Sequence, residues 1–165
     1  FVDRMVWFKG QGQPAMAANV MNSRFEDIWV LSPEQNPSRA IPTGRFQSTV
    51  SNVYEGPGAS GENVASTIHA ASMPVHLALH VLESMDGTGG IVYEPFCGTG
   101  TTIIAAERLG RRCFAVELVP QYVDVAIKRF QQIYPGVRVT LIATGQSFEQ
   151  VATERTTAMD TEVMA

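Results

Sequence analysis

The chain has 165 residues, a formal net charge of −4, 45% apolar and 17% charged residues, which is the make-up of one ordinary folded domain. Disorder and collagen-like order are excluded for its bulk, and apolar runs such as Gly90 to Tyr93 and Cys113 to Val116 fall far short of the ~20 residues of a membrane helix, so no membrane partner is expected. Gly145 to Ala165 carries Glu149, Glu154, Asp160 and Glu162 against Arg155 alone, leaving the body at −1, a balance that neither demands nor excludes a nucleic-acid partner.

The chain opens on the apolar stretch Phe1 to Phe8, with no initiator methionine and no polar lead-in, which reads as a cut inside a domain. Arg4 to Phe8 and Phe25 to Leu31 are rich in β-branched and aromatic residues and predict an antiparallel strand pair, with Trp7 and Trp29 as sheet-face packing. From Ser32 to about Ser66 the periodicity vanishes among scattered Pro and Gly, predicting a long irregular segment. Pro74 stands at a first helical position, and Val75, Ala78, Leu79 and Leu82 recur at helical spacing up to Met85. Ile91 to Tyr93 then reads as a strand, Glu94 to Gly100 as a tight turn, and Thr101 to Leu109 as a helix closed by Gly110. Arg112 to Leu118 predicts a second strand. Pro120 opens a helix with Val123, Ala126, Ile127, Phe130 and Ile133 on one stripe, and Val137 to Ile142 alternates like a third strand. This order predicts an α/β fold with a parallel sheet and helices on its faces. Residues 145–165 are expected to form an acidic, flexible tail.

Tyr93-Glu94-Pro95-Phe96-Cys97-Gly98-Thr99-Gly100-Thr101-Thr102 lies between a strand and a helix, at the edge where open α/β sheets bind ligands. Gly98 and Gly100 let the backbone approach a ligand closely. Glu117 ends the next strand, 17 residues beyond Gly100, from where a carboxylate can accept both hydrogen bonds of a ribose diol. A dinucleotide fingerprint wants a further Gly where Ile103 stands, and no Gly-Lys-Ser/Thr string is present, so a diphosphate ligand is disfavoured. Glu94 would repel phosphate but suits the ammonium of an amino-acid-bearing cofactor such as S-adenosylmethionine. Cys97 and Cys113 read as reduced core thiols of a cytoplasmic protein, and no Cys/His spacing fits a metal site.

The Glu94 to Thr102 string resembles the cofactor motif of the amino-group DNA methyltransferases, which modify the exocyclic nitrogen of adenine or cytosine. Arg111 to Leu118 followed by Pro120-Gln121-Tyr122 looks like their next motif, and His69-Ala70-Ala71-Ser72-Met73-Pro74-Val75 like the element that precedes the Gly-rich motif in the permuted, phage and bacterial subgroup. Trp7-x-Lys9, Ser23 to Ile28 and Thr144 to Glu149 look like its antiparallel strands and its tail.

The resemblance implies a Rossmann-like methyltransferase sheet, incomplete at its N-terminus, over residues 1–144, with cofactor binding in 69–144. It implies S-adenosylmethionine as cofactor, double-stranded DNA as partner, no metal, and a place in restriction-modification. It implies that Gly98 and Gly100 cradle the methionine part beside Thr99, Thr101 and Thr102, that Glu94 orients the ammonium, and that Pro95 and Phe96 pack alongside. Glu117 takes the ribose hydroxyls, Leu118 walls the adenine, and His69, Ser72 and Pro74 line the methionine end. Met73 departs from the family's usual Lys. The family's base-binding motif is Asp, Asn or Ser followed by Pro-Pro-aromatic, and none of the nine prolines here is followed by another. In the permuted order that motif comes upstream, so the chain alone is expected to be inactive, with an upstream domain or partner chain supplying the motif. The 32–66 stretch, with Arg39 and Arg45, is the expected target-recognition segment. Competing readings are a non-catalytic cofactor- or DNA-binding module and a methyltransferase acting on RNA or a small molecule.

Overall fold

The computed structural model describes residues 1–10, 19–35, 50–57, 73–85 and 90–163, with backbone alone for 159–163. Strands β1 (Asp3–Phe8), β2 (Phe25–Val30) and β3 (Val53–Glu55) form a sheet in the order β2-β1-β3. The expected antiparallel pair is β1 with β2, in a register from Asp3 opposite Val30 to Phe8 opposite Phe25. Met5 and Trp7 point to the buried face of this sheet. The Trp7 indole donates to the Gly56 carbonyl at 3.0 Å, which ties β1 to the end of β3. Trp29 lies on the opposite face and is exposed, with the Phe1 ring edge-on against it at 5.6 Å.

β3 is a correction to the irregular 32–66 segment. Its three residues are too few to show alternation, and they become a strand by pairing parallel to β1, Val6 with Val53 through Phe8 with Glu55. Most of that segment, Arg39 and Arg45 included, lies outside the described residues.

The second sheet is the parallel pair β4 (Ile91–Glu94) and β5 (Arg112–Ala115), joined through helix α2 (Thr101–Arg108) as a β-α-β unit. Ahead of it, α1 (Val75–Met85) starts directly after the fully buried Pro74. Val75 and Ala78 of α1 meet Ile104 and Ala105 of α2 in the core, with Met73, Leu79, Leu82 and Phe130 packed around them. Gly110, at φ +63°, closes α2 as foreseen: its N–H donates to the Glu107 carbonyl and the Arg111 N–H to that of Ala106, the paired bonds of a Schellman end. Helix α3 (Pro120–Ile133) begins with Pro at its first turn.

Two expectations fail beyond α3. Val137 to Ile142 forms no strand; the chain folds back on itself, with Leu141 N–H donating to the Gln146 carbonyl and a single bridge between Thr140 and Ser147. Leu141 and Ile142 are exposed, so the alternation has no face to bury and alternation alone does not make a strand. Where an acidic, flexible tail was expected, Phe148–Val163 is helix α4. Ser147 Oγ accepts the Gln150 N–H while Gln150 Oε1 accepts the Ser147 N–H, a reciprocal cap that starts a helix even where little of it is buried. Among the described residues no helix is long and apolar enough to cross a membrane.

Candidate cofactor site

The turn between β4 and α2 is held at its front by two carboxylates. Glu94, the last residue of β4, accepts the Phe96 N–H at 2.9 Å on one oxygen and the Thr102 hydroxyl at 2.8 Å on the other. Glu117, just beyond β5, accepts the Gly98 N–H at 2.7 Å and the Val119 N–H at 2.8 Å. An ionised carboxylate offers about four lone-pair sites, more than the two that these bonds occupy on Glu94. The strand register continues into the turn through Val116 N–H to the Glu94 carbonyl and Cys97 N–H to the Val116 carbonyl, both 2.9 Å. The acids predicted from spacing are thereby brought to the same turn.

The two glycines have different reasons to be glycine. Gly98 has φ +52° and, among the described residues, nothing within 4 Å of where a Cβ would sit, so the turn opens there on free space. Gly100 has φ +80°, but a Cβ on it would lie 2.9 Å from the Ala126 Cβ. Its close approach is to α3. Phe96 after β4 and Leu118 after β5 are 87% and 92% exposed, two apolar side chains open to water at the carboxyl edge of the pair. Pro95 is likewise exposed.

The remaining predicted residues turn inward. Thr99 and Thr101 are buried, and the Arg129 guanidinium donates through Nη1 to the Thr99 carbonyl, the Thr99 hydroxyl and the Thr101 hydroxyl at 3.0, 3.2 and 3.0 Å. The Thr101 hydroxyl donates in turn to the Met73 carbonyl at 3.1 Å. Pro74 is fully buried at the start of α1. His69 and Ser72 lie outside the described residues.

Arg129 is the residue that sequence reasoning missed. The stripe expected on α3 runs through Val123 and Ile133, which are more than a third exposed, whereas Ala126 and Arg129 are the buried positions. The signal is present in the spacing, since Arg129 follows Ala126 by three residues on the same face. Burial lowers the Arg129 pKa from its ordinary value. Burial, and then the carboxylates of Glu94 and Glu117, push the Cys97 thiol up to about 11, so it stays protonated at neutral pH and is no nucleophile. The Cys113 thiol is also raised, by burial first and Glu94 second.

A family model described as DNA methylase matches residues 1–128. The Type II methyltransferase M.ScaI of Streptomyces caespitosus is 26% identical over 106 residues, 62% of this chain and 35% of that protein. Among solved structures, a DNA modification methylase from Thermus thermophilus complexed with S-adenosyl-L-methionine aligns with a TM-score of 0.53 and 27% identity, over 81% of this chain and 54% of that one. The cytosine-N4-specific PvuII DNA methyltransferase gives a TM-score of 0.62 at 20% identity, over 78% of this chain and 50% of its own, a likeness of fold. The chain therefore spans about a third of M.ScaI and about half of each solved chain.

Proposed function

This chain belongs to the DNA methylase family of amino-group methyltransferases, and on that premise we propose that it binds S-adenosylmethionine at the carboxyl edge of β4 and β5. The reaction served is methyl transfer to the exocyclic amino group of adenine or cytosine in double-stranded DNA, in a cytoplasmic restriction-modification setting. The observation that carries the reading is Gly98, in a left-handed conformation and facing open space, with the Glu94 and Glu117 carboxylates fixed on the same turn by backbone N–H groups.

When bound, the cofactor supplies an electrophilic methyl group on a sulfonium. The chain's own residues bind and orient it. Glu94, anchored by Thr102, uses its remaining acceptor sites for the ammonium. Glu117, anchored by Gly98 and Val119, accepts from the ribose diol. Phe96 and Leu118 cover apolar faces of the ligand and lose their exposure to water when it is seated. Thr99, Thr101 and Pro74 shape the cradle from behind. The base-binding Pro-Pro-aromatic string has no counterpart in these residues, so that step falls to an upstream segment or partner chain, and this chain is inactive alone.

The test is calorimetric titration of the chain with S-adenosylmethionine, beside Glu117→Ala. Binding by the unaltered chain, weakened by ~1–3 kcal/mol in the variant, is expected from loss of hydrogen bonds to a charged acceptor. Equal affinity in a folded Glu117→Ala variant refutes the assignment. Methyl transfer by the protein containing the base-binding motif to duplex DNA, and not to RNA or small amines, is the second expected result. Binding without transfer to any of them favours a non-catalytic module.

A further inference from the structure

We propose that Arg129 is a positioning residue that clamps the two segments lining the cofactor site, the Gly-rich turn and the entry to α1, onto helix α3. The inference rests on the reading of that turn as the cofactor cradle. The front of the turn is held by Glu94 and Glu117, the two acids that the proposed function assigns to the ligand. Its back rests on α3. There Ala126 leaves room for the Gly100 backbone, and one step along the same face Arg129 reaches the backbone and hydroxyl of Thr99 and the hydroxyl of Thr101.

The hydrogen-bond directions fix how the clamp works. The Met73 carbonyl can only accept, so the Thr101 hydroxyl spends its proton on it at 3.1 Å and must meet Arg129 as an acceptor. The guanidinium, which only donates, is thus the head of a relay from α3 through Thr101 to the residue before Pro74. Arg129 as a residue is only 8% exposed, and a buried guanidinium is costly unless its donors are used. Here Arg129 donates to the carbonyl and hydroxyl oxygens of Thr99 and the hydroxyl of Thr101, at the back of the turn.

The experiment compares the unaltered chain with Arg129→Met, which keeps the apolar stem and removes the donors, with Arg129→Lys, and with the milder Thr99→Val, which removes only the hydroxyl acceptor. Amide hydrogen exchange is read first, without cofactor. The N–H groups of Gly98 and Gly100, bonded to Glu117 and to the Cys97 carbonyl, are expected to exchange ~10-fold or more faster in Arg129→Met, while those of β4 and β5 are unchanged. A general destabilisation would accelerate both sets together. Calorimetry with S-adenosylmethionine is expected to show a dissociation constant raised about 10- to 100-fold in Arg129→Met, with partial recovery in Arg129→Lys and a smaller loss in Thr99→Val.

Unchanged exchange at Gly98 and Gly100 in folded Arg129→Met overturns the proposal, as does acceleration shared equally by the strands. A dissociation constant within about threefold of the unaltered chain overturns it as well, being less than one hydrogen bond from a charged donor is worth. Failure of the unaltered chain to bind S-adenosylmethionine, with the turn still loosened by Arg129→Met, strikes at the cofactor reading and leaves the clamp standing.

Discussion

Substituting Gly100 by Ala separates a glycine needed for packing from one needed for ligand approach. At φ +80° an L-residue is strained by ~1–2 kcal/mol. The new methyl would also sit 2.9 Å from the Ala126 Cβ and 3.3 Å from its Cα, against helix backbone that cannot swing away, and overpacking of this kind costs ~1–3 kcal/mol. Restricting the unfolded chain returns ~0.4–1 kcal/mol, so the net loss is ~2–4 kcal/mol. Gly98→Ala carries only the strain, because nothing among the described residues lies within 4 Å of its new methyl, and loses ~0.5–1.5 kcal/mol after the same correction. Urea unfolding followed by far-ultraviolet circular dichroism measures both. In titration with S-adenosylmethionine the order inverts: Gly98→Ala, whose methyl enters the open space, is expected to weaken binding more than its small stability loss explains. Equal unfolding free energies for the two variants would refute the assignment of Gly100 to helix packing.

Two further outcomes follow from the same geometry, beside those for Glu117 and Arg129. A Cys97 thiol pushed from 9.0 to about 11 has ~100-fold less thiolate than an ordinary cysteine at pH 8, so iodoacetamide should label it ~100-fold more slowly in the folded chain than in urea; equal rates, read by peptide mass spectrometry, contradict its burial beside the two acids. The sign for stability is that folding holds the proton more tightly, so the contribution of Cys97 is complete below pH 9 and is lost as pH rises toward 11. Trp7→Phe removes the donor to the Gly56 carbonyl and should cost ~1–3 kcal/mol in urea unfolding, whereas Trp29→Phe, exposed on the other face, should cost under about 0.5 kcal/mol.

What could be read from the chain was what local rules decide. Pro74 before α1, the Gly110 end of α2 and the strand-turn-helix around Gly98 each depend on a few adjacent residues with special backbone preferences. β3 was not legible, because Val53 to Glu55 is a strand only through the hydrogen bonds of β1. Val137 to Ile142 failed in the opposite sense, having the alternation of a strand but no neighbouring sheet face. Helix α4 was missed because the stretch was read from its acidic composition and not from the Ser147-x-x-Gln150 cap that starts it; the helix is as exposed as that composition demands. At the turn, Glu94, Gly98 and Glu117, which spacing singled out, lie together, while Thr99 and Thr101 belong to the back of the turn. The hidden element was Arg129, since a charged residue on an otherwise apolar stripe is discounted until its acceptors are seen.

The arrangement of charge follows from this division of the turn into a front and a back. S-adenosylmethionine carries an ammonium and a sulfonium against one carboxylate, a net single positive charge. The front of the turn presents two carboxylates whose backbone bonds hold them in place before a ligand arrives, so little ordering remains to be done on binding. The guanidinium from α3 is directed to the back, onto neutral oxygens of Thr99 and Thr101. Placed at the front it would pair with the acids; placed behind, it bonds the Thr99 carbonyl and the Thr99 and Thr101 hydroxyls and so orders the backbone. A phosphate-bearing ligand meets the reverse of what it needs, two anions and a turn whose Gly98 N–H is already taken by Glu117. The same bond that makes the turn a poor phosphate nest holds the Glu117 carboxylate beside Gly98, so one contact fixes both the loop conformation and the place of the acid.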